Sequence, residues 1–183
     1  MATVLITGAS AGIGRAAAVR LAGRGHHVIA TGRNAAALDQ IKRTAKGKVD
    51  TFVLDVTQPA SVDAARLEVD RLAEQAGLDV LVNNAGTVLA GPVETVGEAD
   101  LKAQFETNVF GPMRMIRAFL PAMRERRRGR IINISSVVGR LALPFFGPYN
   151  ATKHAIEAFS DAMRNELKLF GVDVVLIEPG AIA

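Results

Sequence analysis

The stretch TVLITGASAGIG, residues 3–14, joins an apolar run to a glycine-rich turn and the start of an alanine-rich segment. The first five residues are typical of a strand that is buried on both faces. Gly8 then permits a tight turn, Gly12 lets a ligand approach the backbone, and Gly14 allows the helix and the strand to pack closely. The free N–H groups at the start of the following helix favour a phosphate. The stretch therefore predicts a nucleotide-binding turn.

Strand-like and helix-like segments alternate along the rest of the chain. The predicted strands span residues 3–7, 27–31, 49–54, 80–82, 131–134 and 172–177. The predicted helices span residues 13–24, 35–44, 59–75, 98–126 (bent near Gly111 and Pro112) and 150–170. Because the strands are continuous apolar runs, the sequence predicts an α/β fold, a doubly wound parallel sheet with helices on both faces. Such sheets bind ligands at the carboxyl ends of their strands.

The composition indicates one globular domain. Of the 183 residues, 49% are hydrophobic and 22% are charged, which argues against intrinsic disorder. The absence of cysteine excludes disulfides, thiolate metal sites and a cysteine nucleophile. We recognise no signal peptide and no membrane span, so we expect a cytoplasmic protein. The three histidines show no ligand spacing with carboxylates, so we expect no metal site.

The net charge of +4 comes from one short segment. Residues 124–130 hold five arginines and one glutamate, which amounts to +4, so the remainder of the chain is neutral. No aromatic residue lies among these arginines to stack on bases. We interpret the segment as a solvated helix end that Gly129 terminates, and we expect no nucleic-acid partner.

Four motifs together resemble the short-chain dehydrogenase/reductase family, in its single-domain branch. They are the glycine spacing of residues 8–14, the Asn-Asn-Ala-Gly of residues 83–86, the pair Tyr149 and Lys153, and the Pro-Gly of residues 179–180. The resemblance covers the whole chain, and residues 108–180 are most similar to hydroxysteroid and retinol dehydrogenases. It implies a Rossmann-like sheet of strand order 3-2-1-4-5-6 in a single NAD(P)-binding domain, residues 1–183. Family members continue further, so we expect a truncation after the sixth strand, with the usual seventh strand missing.

The resemblance implies a catalytic tetrad of Asn108, Ser136, Tyr149 and Lys153. The residues themselves support part of it, because Tyr149 is the single tyrosine and stands four residues before Lys153 on a predicted helix. Residues four apart share a helix face, so the ammonium can stabilise the phenolate and let Tyr149 exchange its proton near neutral pH. Ser136, after the fifth strand, can donate to a substrate oxygen. By resemblance, Asn108 distorts its helix and holds a water in a relay through Lys153; the alternative is an ordinary buried hydrogen-bonding asparagine.

The resemblance also implies the residues that contact the cofactor. Besides Tyr149 and Lys153, these are Gly8, Ser10, Gly12, Ile13, Gly14, Arg33, Asp55, Val56, Asn84, Ala85, Gly86, Pro179, Gly180 and Ile182. Asp55 is expected to contact the adenine, and the backbone of Ile182 the nicotinamide amide.

We expect NADP(H) to be preferred over NAD(H). In Rossmann-type sites an acid after the second strand binds both ribose hydroxyls and repels a 2′-phosphate. That position is Gly32 here, and Arg33 follows with a guanidinium that can hold a phosphate. The alternative for Arg33 is an ordinary surface arginine in a turn.

These predictions combine into an NAD(P)-dependent oxidoreductase that interconverts an alcohol and a ketone or aldehyde, with Tyr149 as the acid and base. The resemblance favours an apolar substrate and a homodimer or homotetramer. One alternative is a sensor or scaffold that binds the dinucleotide without catalysis. Another is an epimerase or dehydratase, which the compact glycine spacing disfavours.

Overall fold

The computed structural model describes residues 1–181, which form one parallel sheet of six strands. The strands are β1 (Thr3–Ile6), β2 (His27–Gly32), β3 (Val49–Val53), β4 (Val80–Asn83), β5 (Gly129–Ile134) and β6 (Val172–Ile177). Their order is β3-β2-β1-β4-β5-β6, and every neighbouring pair is parallel. The predicted architecture and strand order are confirmed. The order reverses between β1 and β4, which makes the carboxyl ends of these two strands the expected ligand crevice.

Six α-helices connect the strands of the described chain. They are α1 (Gly12–Ala22), α2 (Ala35–Thr44), α3 (Pro59–Ala73), α4 (Glu98–Phe105), α5 (Gly111–Glu125) and α6 (Gly147–Leu167). Most element ends lie within three residues of the prediction. Helix α6 begins three residues early because Pro148 suits a first helical turn, where its missing N–H has no partner to lose. Within residues 1–181, no helix has the length and apolar character that crossing a membrane requires.

The core has two layers, one on each face of the sheet. Helices α3, α5 and α6 pack on one face, where Leu81, Met115 and Ile131 are fully buried. Helices α1 and α2 pack on the other face against Val28 and Ile6. The strands are not all buried on both faces as predicted, because β3 and β6 lie at the edges of the sheet and each keeps residues exposed.

The predicted long helix over residues 98–126 is not continuous. A π-helical segment, Glu106–Phe110, separates α4 from α5, so the distortion comes directly before Gly111 and Pro112 rather than at them. Asn108 lies at the centre of this segment and is buried. A π-helical turn inside a helix is a frequent feature of functional sites.

The arginine-rich segment is more structured than a solvated helix end. Helix α5 ends at Glu125, and Arg127 adopts a positive φ of 50°, so Gly129 starts β5 instead of terminating the helix. All five arginines contact other parts of the chain: Arg124 lies over the Phe170 ring, Arg126 and Arg127 donate to the carbonyl oxygens of Leu78 and Leu169 at 2.7 Å each, Arg128 pairs with Asp79, and Arg130 pairs with Asp173. These contacts attach the basic segment to the rest of the fold.

Candidate active site

The glycine turn between β1 and α1 has the close approaches that its sequence predicts. Gly8 has a φ of +65°, and a Cβ there would lie 2.7 Å from the Cα of Ala85. A Cβ at Gly14 would lie 2.7 Å from the carbonyl oxygen of Gly8. By contrast, the space beside Gly12 is open, with no atom within 4 Å. The turn is therefore packed against the end of β4 on one side and accessible to a ligand on the other.

Side-chain hydrogen bonds join the ends of β1 and β4. The Asn84 Nδ2 donates to the carbonyl oxygens of Thr7 and Gly8 at 2.9 and 3.0 Å. The Thr7 Oγ1 accepts from the backbone N–H groups of Asn84 and Ala85, each at 3.0 Å. Thr7 is not among the residues that the sequence predicts for the site, and Asn84 is predicted to contact the cofactor rather than to hold the turn. These bonds hold the glycine turn at the switch point.

A cavity of about 1150 Å³ opens at the carboxyl ends of the first four strands. It brings together most of the predicted cofactor residues: Gly8, Ser10, Gly12, Ile13, Arg33, Asp55, Val56, Asn84, Ala85 and Gly86. Gly14 does not line the cavity but packs beneath it, and Arg20, Thr87 and Thr107 line it without having been predicted. Arg20 has a sequence signal, because residues 12, 16 and 20 share one face of α1.

Polar groups in the cavity are available to hydrogen-bond a ligand. The Ser10 Oγ is buried and has no hydrogen-bond partner in the described chain. The amino end of α1 has no side-chain cap and no acidic residue in its first turn. Its N–H groups and the helix dipole therefore remain available to an anion. A phosphate-bearing dinucleotide fits this donor set.

Asp55 follows β3 and shapes its own turn. Its Oδ1 accepts hydrogen bonds from the Thr57 backbone N–H at 2.9 Å and from the Thr57 Oγ1 at 2.8 Å. The backbone N–H of Asp55 donates to the Ser61 Oγ at 3.1 Å. This turn sets Asp55 and Val56 along the wall of the cavity.

Tyr149 and Lys153 lie together in the first two turns of α6. The Lys153 Nζ is 5.5 Å from the centre of the Tyr149 ring and donates to the carbonyl oxygen of Ile134 at 2.7 Å. Burial lowers the pKa of Lys153 to about 8, and the Glu157 carboxylate opposes that shift. The arrangement places a titratable ammonium next to the phenol at the end of β5.

The two serines after β5 have different surroundings. The Ser136 Oγ accepts from the Val138 N–H and donates to the Pro179 carbonyl oxygen, both at 3.4 Å. Such long bonds leave the hydroxyl free to exchange partners. The Ser135 Oγ is buried without a partner in the described chain. Of the two, Ser136 has the side chain next to the loop that follows β6.

Asn108 connects the cavity wall to α6. Its side-chain amide pairs with the backbone of Thr87, donating to the oxygen and accepting from the N–H at 2.8 Å each. It also donates to the Thr152 Oγ1 at 3.2 Å, next to Lys153. The structure records no direct bond from Asn108 to Lys153. Asn108 is thus buried and hydrogen-bonded, and it joins Thr87 of the cavity to the helix of Tyr149 and Lys153.

The loop after β6 reaches the same end of the sheet. The Val137 backbone N–H donates to the Pro179 carbonyl oxygen at 3.1 Å, and Gly180 follows with open space beside it. The predicted contact from Ile182 lies outside the described residues. Pro179 and Gly180 therefore sit next to Ser136.

The comparisons with known proteins agree on one family. The model of the family described as short chain dehydrogenase matches residues 2–183. The chain is 42% identical over 177 residues to a 3-ketodihydrosphingosine reductase of Bacteroides thetaiotaomicron, covering 97% of this chain and 62% of the relative. It is 38% identical over 186 residues to an NADPH-dependent 3-dehydrocapnine reductase of Ornithobacterium rhinotracheale, covering 100% of this chain and 66% of the relative.

A solved structure shows the same fold. The crystal structure of a metagenomic short-chain oxidoreductase in complex with NADP superposes with a TM-score of 0.91 at 33% identity, covering 100% of this chain and 83% of that one. The chain spans about two thirds of the length of the two curated relatives it matches. The family match, the identities and the shared fold agree, so the chain belongs to the short-chain dehydrogenase family.

Proposed function

We propose that the protein is an NADP(H)-dependent oxidoreductase that interconverts an alcohol and a ketone or aldehyde. The observation that carries the proposal is the hydrogen-bonded path from Thr87 of the cavity through Asn108 to Thr152, beside Lys153. This path joins a dinucleotide-sized cavity to the Tyr149 and Lys153 pair, at the end of the sheet where the strands have their carboxyl ends. When bound, the nicotinamide cofactor supplies or accepts the hydride.

In the proposed reaction Tyr149 handles the proton. In the reductive direction its hydroxyl donates to the substrate oxygen, and the nearby Lys153 ammonium stabilises the phenolate that remains. The Ser136 hydroxyl donates a hydrogen bond to the same oxygen as negative charge develops there. The hydrogen bond from Lys153 to Ile134 fixes the ammonium at the end of β5 while this happens.

Arg33 supports the preference for NADP(H). It lines the exposed rim of the cavity directly after β2, and Gly32 leaves the neighbouring position without an acid. The Ser10 Oγ faces Gly32, since a Cβ on Gly32 would run into it. A guanidinium and an unpartnered hydroxyl thus lie where a 2′-phosphate is expected. The name of one relative, an NADPH-dependent reductase, agrees with this assignment.

Exposed apolar side chains on two loops support an apolar substrate. Val88 and Val93, after β4, are 60% and 70% exposed, and Phe145, just before α6, is 63% exposed. The loops are joined, because the Gly91 N–H donates to the Phe145 carbonyl oxygen at 2.7 Å. This apolar surface begins four residues before Tyr149 and can bury a hydrocarbon substituent of the substrate.

The substrate class is tested with purified full chain and matched pairs of ketones. We expect NADPH oxidation, followed by absorbance, to be faster with long-chain aliphatic ketones than with short polar ones, mainly through a lower KM. Cofactor binding without turnover of any ketone, aldehyde or alcohol would favour a dinucleotide sensor instead. Turnover without net cofactor oxidation would favour an epimerase or dehydratase.

We also propose a homodimer or homotetramer. Phe110 at the end of the π-helical segment and Phe159 on α6 are 50% and 44% exposed, on elements that lie next to each other. Burial of such side chains favours self-association. Light scattering coupled to gel filtration measures the mass in solution, and a monomer at micromolar concentration would contradict this proposal.

A further inference from the structure

Helix α6 carries a buried carboxylate that the proposed reaction does not use. Glu157 is 5% exposed and lies one helical turn after Lys153, which is 7% exposed. Glu157 Oε2 lies 2.9 Å from the Arg140 Nη2, and apart from that ion pair neither carboxylate oxygen has a hydrogen-bond partner in the described residues. A buried charge without hydrogen bonds is unfavourable unless an opposite charge compensates it. Arg140 is one such charge. The Lys153 ammonium, one helical turn before Glu157 and not in a direct ion pair with it, is a second.

The turn after β5 makes the space that Glu157 occupies. A Cβ on Gly139 would lie 2.9 Å from the Glu157 Cγ and 2.8 Å from the Ser135 Oγ. Any side chain at Gly139 would therefore displace the carboxylate. The glycine encloses Glu157 beneath the segment that carries Ser136, close to the proposed catalytic groups.

Arg140 is the cation in direct contact with Glu157, and it also binds Glu178. Its Nη2 lies 2.9 Å from the Glu157 Oε2, whereas its Nε and Nη2 donate to the Glu178 Oε1 at 3.2 and 3.1 Å. The Arg140 side chain is 54% exposed, so water screens its charge. Arg140 thus links Glu157 to the end of β6, and its charge competes only partly with that of Lys153.

Most of the remaining charged groups near α6 form ion pairs with each other. Glu106 of the π-helical segment contacts Arg114, Lys102 of α4 contacts Glu98, Asp173 of β6 contacts Arg130, and Asp161 of α6 contacts Arg164. Among the acidic groups of the described chain, Glu157 raises the pKa of Lys153 against the effect of burial. The titratable neighbour of Lys153 in the other direction is Tyr149.

We propose that Glu157 is a positioning residue, whose buried carboxylate is the counter-charge that keeps Lys153 an ammonium beside Tyr149. Its relevance to turnover rests on the proposed function, but the ionisation of Lys153 does not. Burial already lowers the pKa of Lys153 to about 8, so the ammonium has little reserve at neutral pH. Removing the carboxylate lowers that pKa further and so increases the fraction of neutral amine at pH 7.

The test is a titration of Lys153 itself, by NMR of the full chain labelled with ¹³C at lysine side chains. The sequence holds six lysines, so the spectrum is simple, and loss of one signal in Lys153→Met assigns it. In Glu157→Gln we expect the midpoint of Lys153 to fall by about one to two pH units. Glu157→Asp keeps a carboxylate, so its Lys153 midpoint should lie close to that of the unmodified chain. Glu166→Gln, an exposed glutamate on the same helix, is the matched control and should change nothing.

A second variant removes the carboxylate in another way. Glu157→Met fills the same buried space with an apolar side chain, so the midpoint of Lys153 should again fall by about one to two pH units. This variant decides the matter if Glu157→Gln does not fold. An unchanged midpoint in both variants, or in the single variant that folds, would overturn the proposal.

The kinetic consequence separates the two proposals. If the enzyme reduces ketones, the alkaline limb of the kcat/KM profile should move to lower pH in Glu157→Gln, with NADPH affinity within a few-fold of the unchanged chain. Absence of any turnover, together with a shifted Lys153 midpoint, would refute the proposed function and leave the counter-charge role standing.

Discussion

The Lys153 ammonium is hydrogen-bonded to the carbonyl oxygen of Ile134, the last residue of β5, at 2.7 Å. This bond ties the helix that carries Tyr149 to the strand that precedes Ser136. It gives the buried Lys153 ammonium one hydrogen-bond acceptor. It also fixes the distance between α6 and the end of β5, the two elements of the proposed active site. Burying the charge of Lys153 lowers the free energy of unfolding by an amount that can be measured.

Lys153→Met should increase the free energy of unfolding at pH 7 by about 1–2 kcal/mol. The pKa is about 8 in the folded chain and 10.5 in the unfolded one. Between these values the unfolded chain binds more protons, so wild-type stability rises with pH. The full shift is worth at most about 3 kcal/mol, from which the lost bond to Ile134 subtracts about 1 kcal/mol.

Urea denaturation at pH 7 and pH 10 measures the difference. The advantage of the Met variant should be largest below pH 8 and disappear toward pH 10.5. Lys168→Met, at an exposed lysine, is the control and should show no such dependence. A difference that stays constant with pH would mean that Lys153 is not buried as a charge.

Tyr149→Phe should abolish turnover and leave the NADPH dissociation constant within a few-fold. In the proposed reaction the phenol supplies the proton, whereas the proposed phosphate and adenosine contacts lie in the cavity on the other side of Asn108. The emission of NADPH reports binding directly, because the chain has no tryptophan. Turnover above a tenth of the wild-type rate would contradict the assignment of Tyr149.

Ser136→Ala should reduce kcat by about 10²–10³-fold, as loss of a donor to a developing oxyanion does. Ser135→Ala is the matched control, one residue away in the same loop. Since the Ser135 hydroxyl is buried and unpartnered, its removal should leave kcat unchanged and stability equal or slightly higher. A larger loss of kcat in Ser135→Ala than in Ser136→Ala would exchange the two roles.

Arg33→Ala should weaken NADPH binding about ten- to hundredfold with little effect on NADH. The proposed contact is a charge-assisted hydrogen bond to the 2′-phosphate, which would be worth about 1.5–3 kcal/mol. Arg24→Ala, at the exposed end of α1, is the control for net charge. Gly32→Asp is a poorer probe, because its Cβ would collide with the Ser10 Oγ. Tighter binding of NADH than of NADPH by the unmodified protein would refute the role of Arg33.

Gly14→Ala should destabilise the chain by about 1–3 kcal/mol. The new methyl group would run into the Asn84 side chain and lie 2.7 Å from the Gly8 carbonyl oxygen. Gly23→Ala is the control, because its Cβ has only ordinary contacts, the nearest at 3.5 Å, and its φ is negative. Chemical denaturation of both variants gives the comparison, and equal stability would show that the turn tolerates a side chain at Gly14.

The architecture was predictable because its signals are local. Apolar runs, glycine spacing and proline at helix starts each act over a few residues, and together they indicate the alternation of strands and helices. The break of the long helix was placed only approximately, since the π-helical segment depends on the bonds of Asn108 to Thr87 and Thr152, 21 and 44 residues away. Edge exposure of β3 and β6 likewise depends on the sheet as a whole.

The residues of the candidate site also divide into those with a local sequence signal and those that depend on distant contacts. The motif residues were found because their spacing is fixed by backbone geometry. Glu157 gave no signal, since an acid four residues after a lysine usually indicates an exposed ion pair on a helix surface. Its burial follows from the missing side chain of Gly139 in another element. Thr7 was missed for a similar reason, because a threonine at the end of a strand is ordinary until its partner in β4 is known.

The hydrogen bonds between Thr7 and Asn84 also constrain the order in which the molecule assembles. Their partners are 77 residues apart, and β1 is paired on that side with β4 rather than with a neighbour in the chain. Closing so long a loop is slow and entropically unfavourable compared with local contacts. During synthesis, the phosphate-binding turn at the beginning of the chain must therefore wait until β4 and Asn84 have emerged from the ribosome. A nascent chain that ends before residue 80 should not bind the dinucleotide, although its glycine motif is already complete.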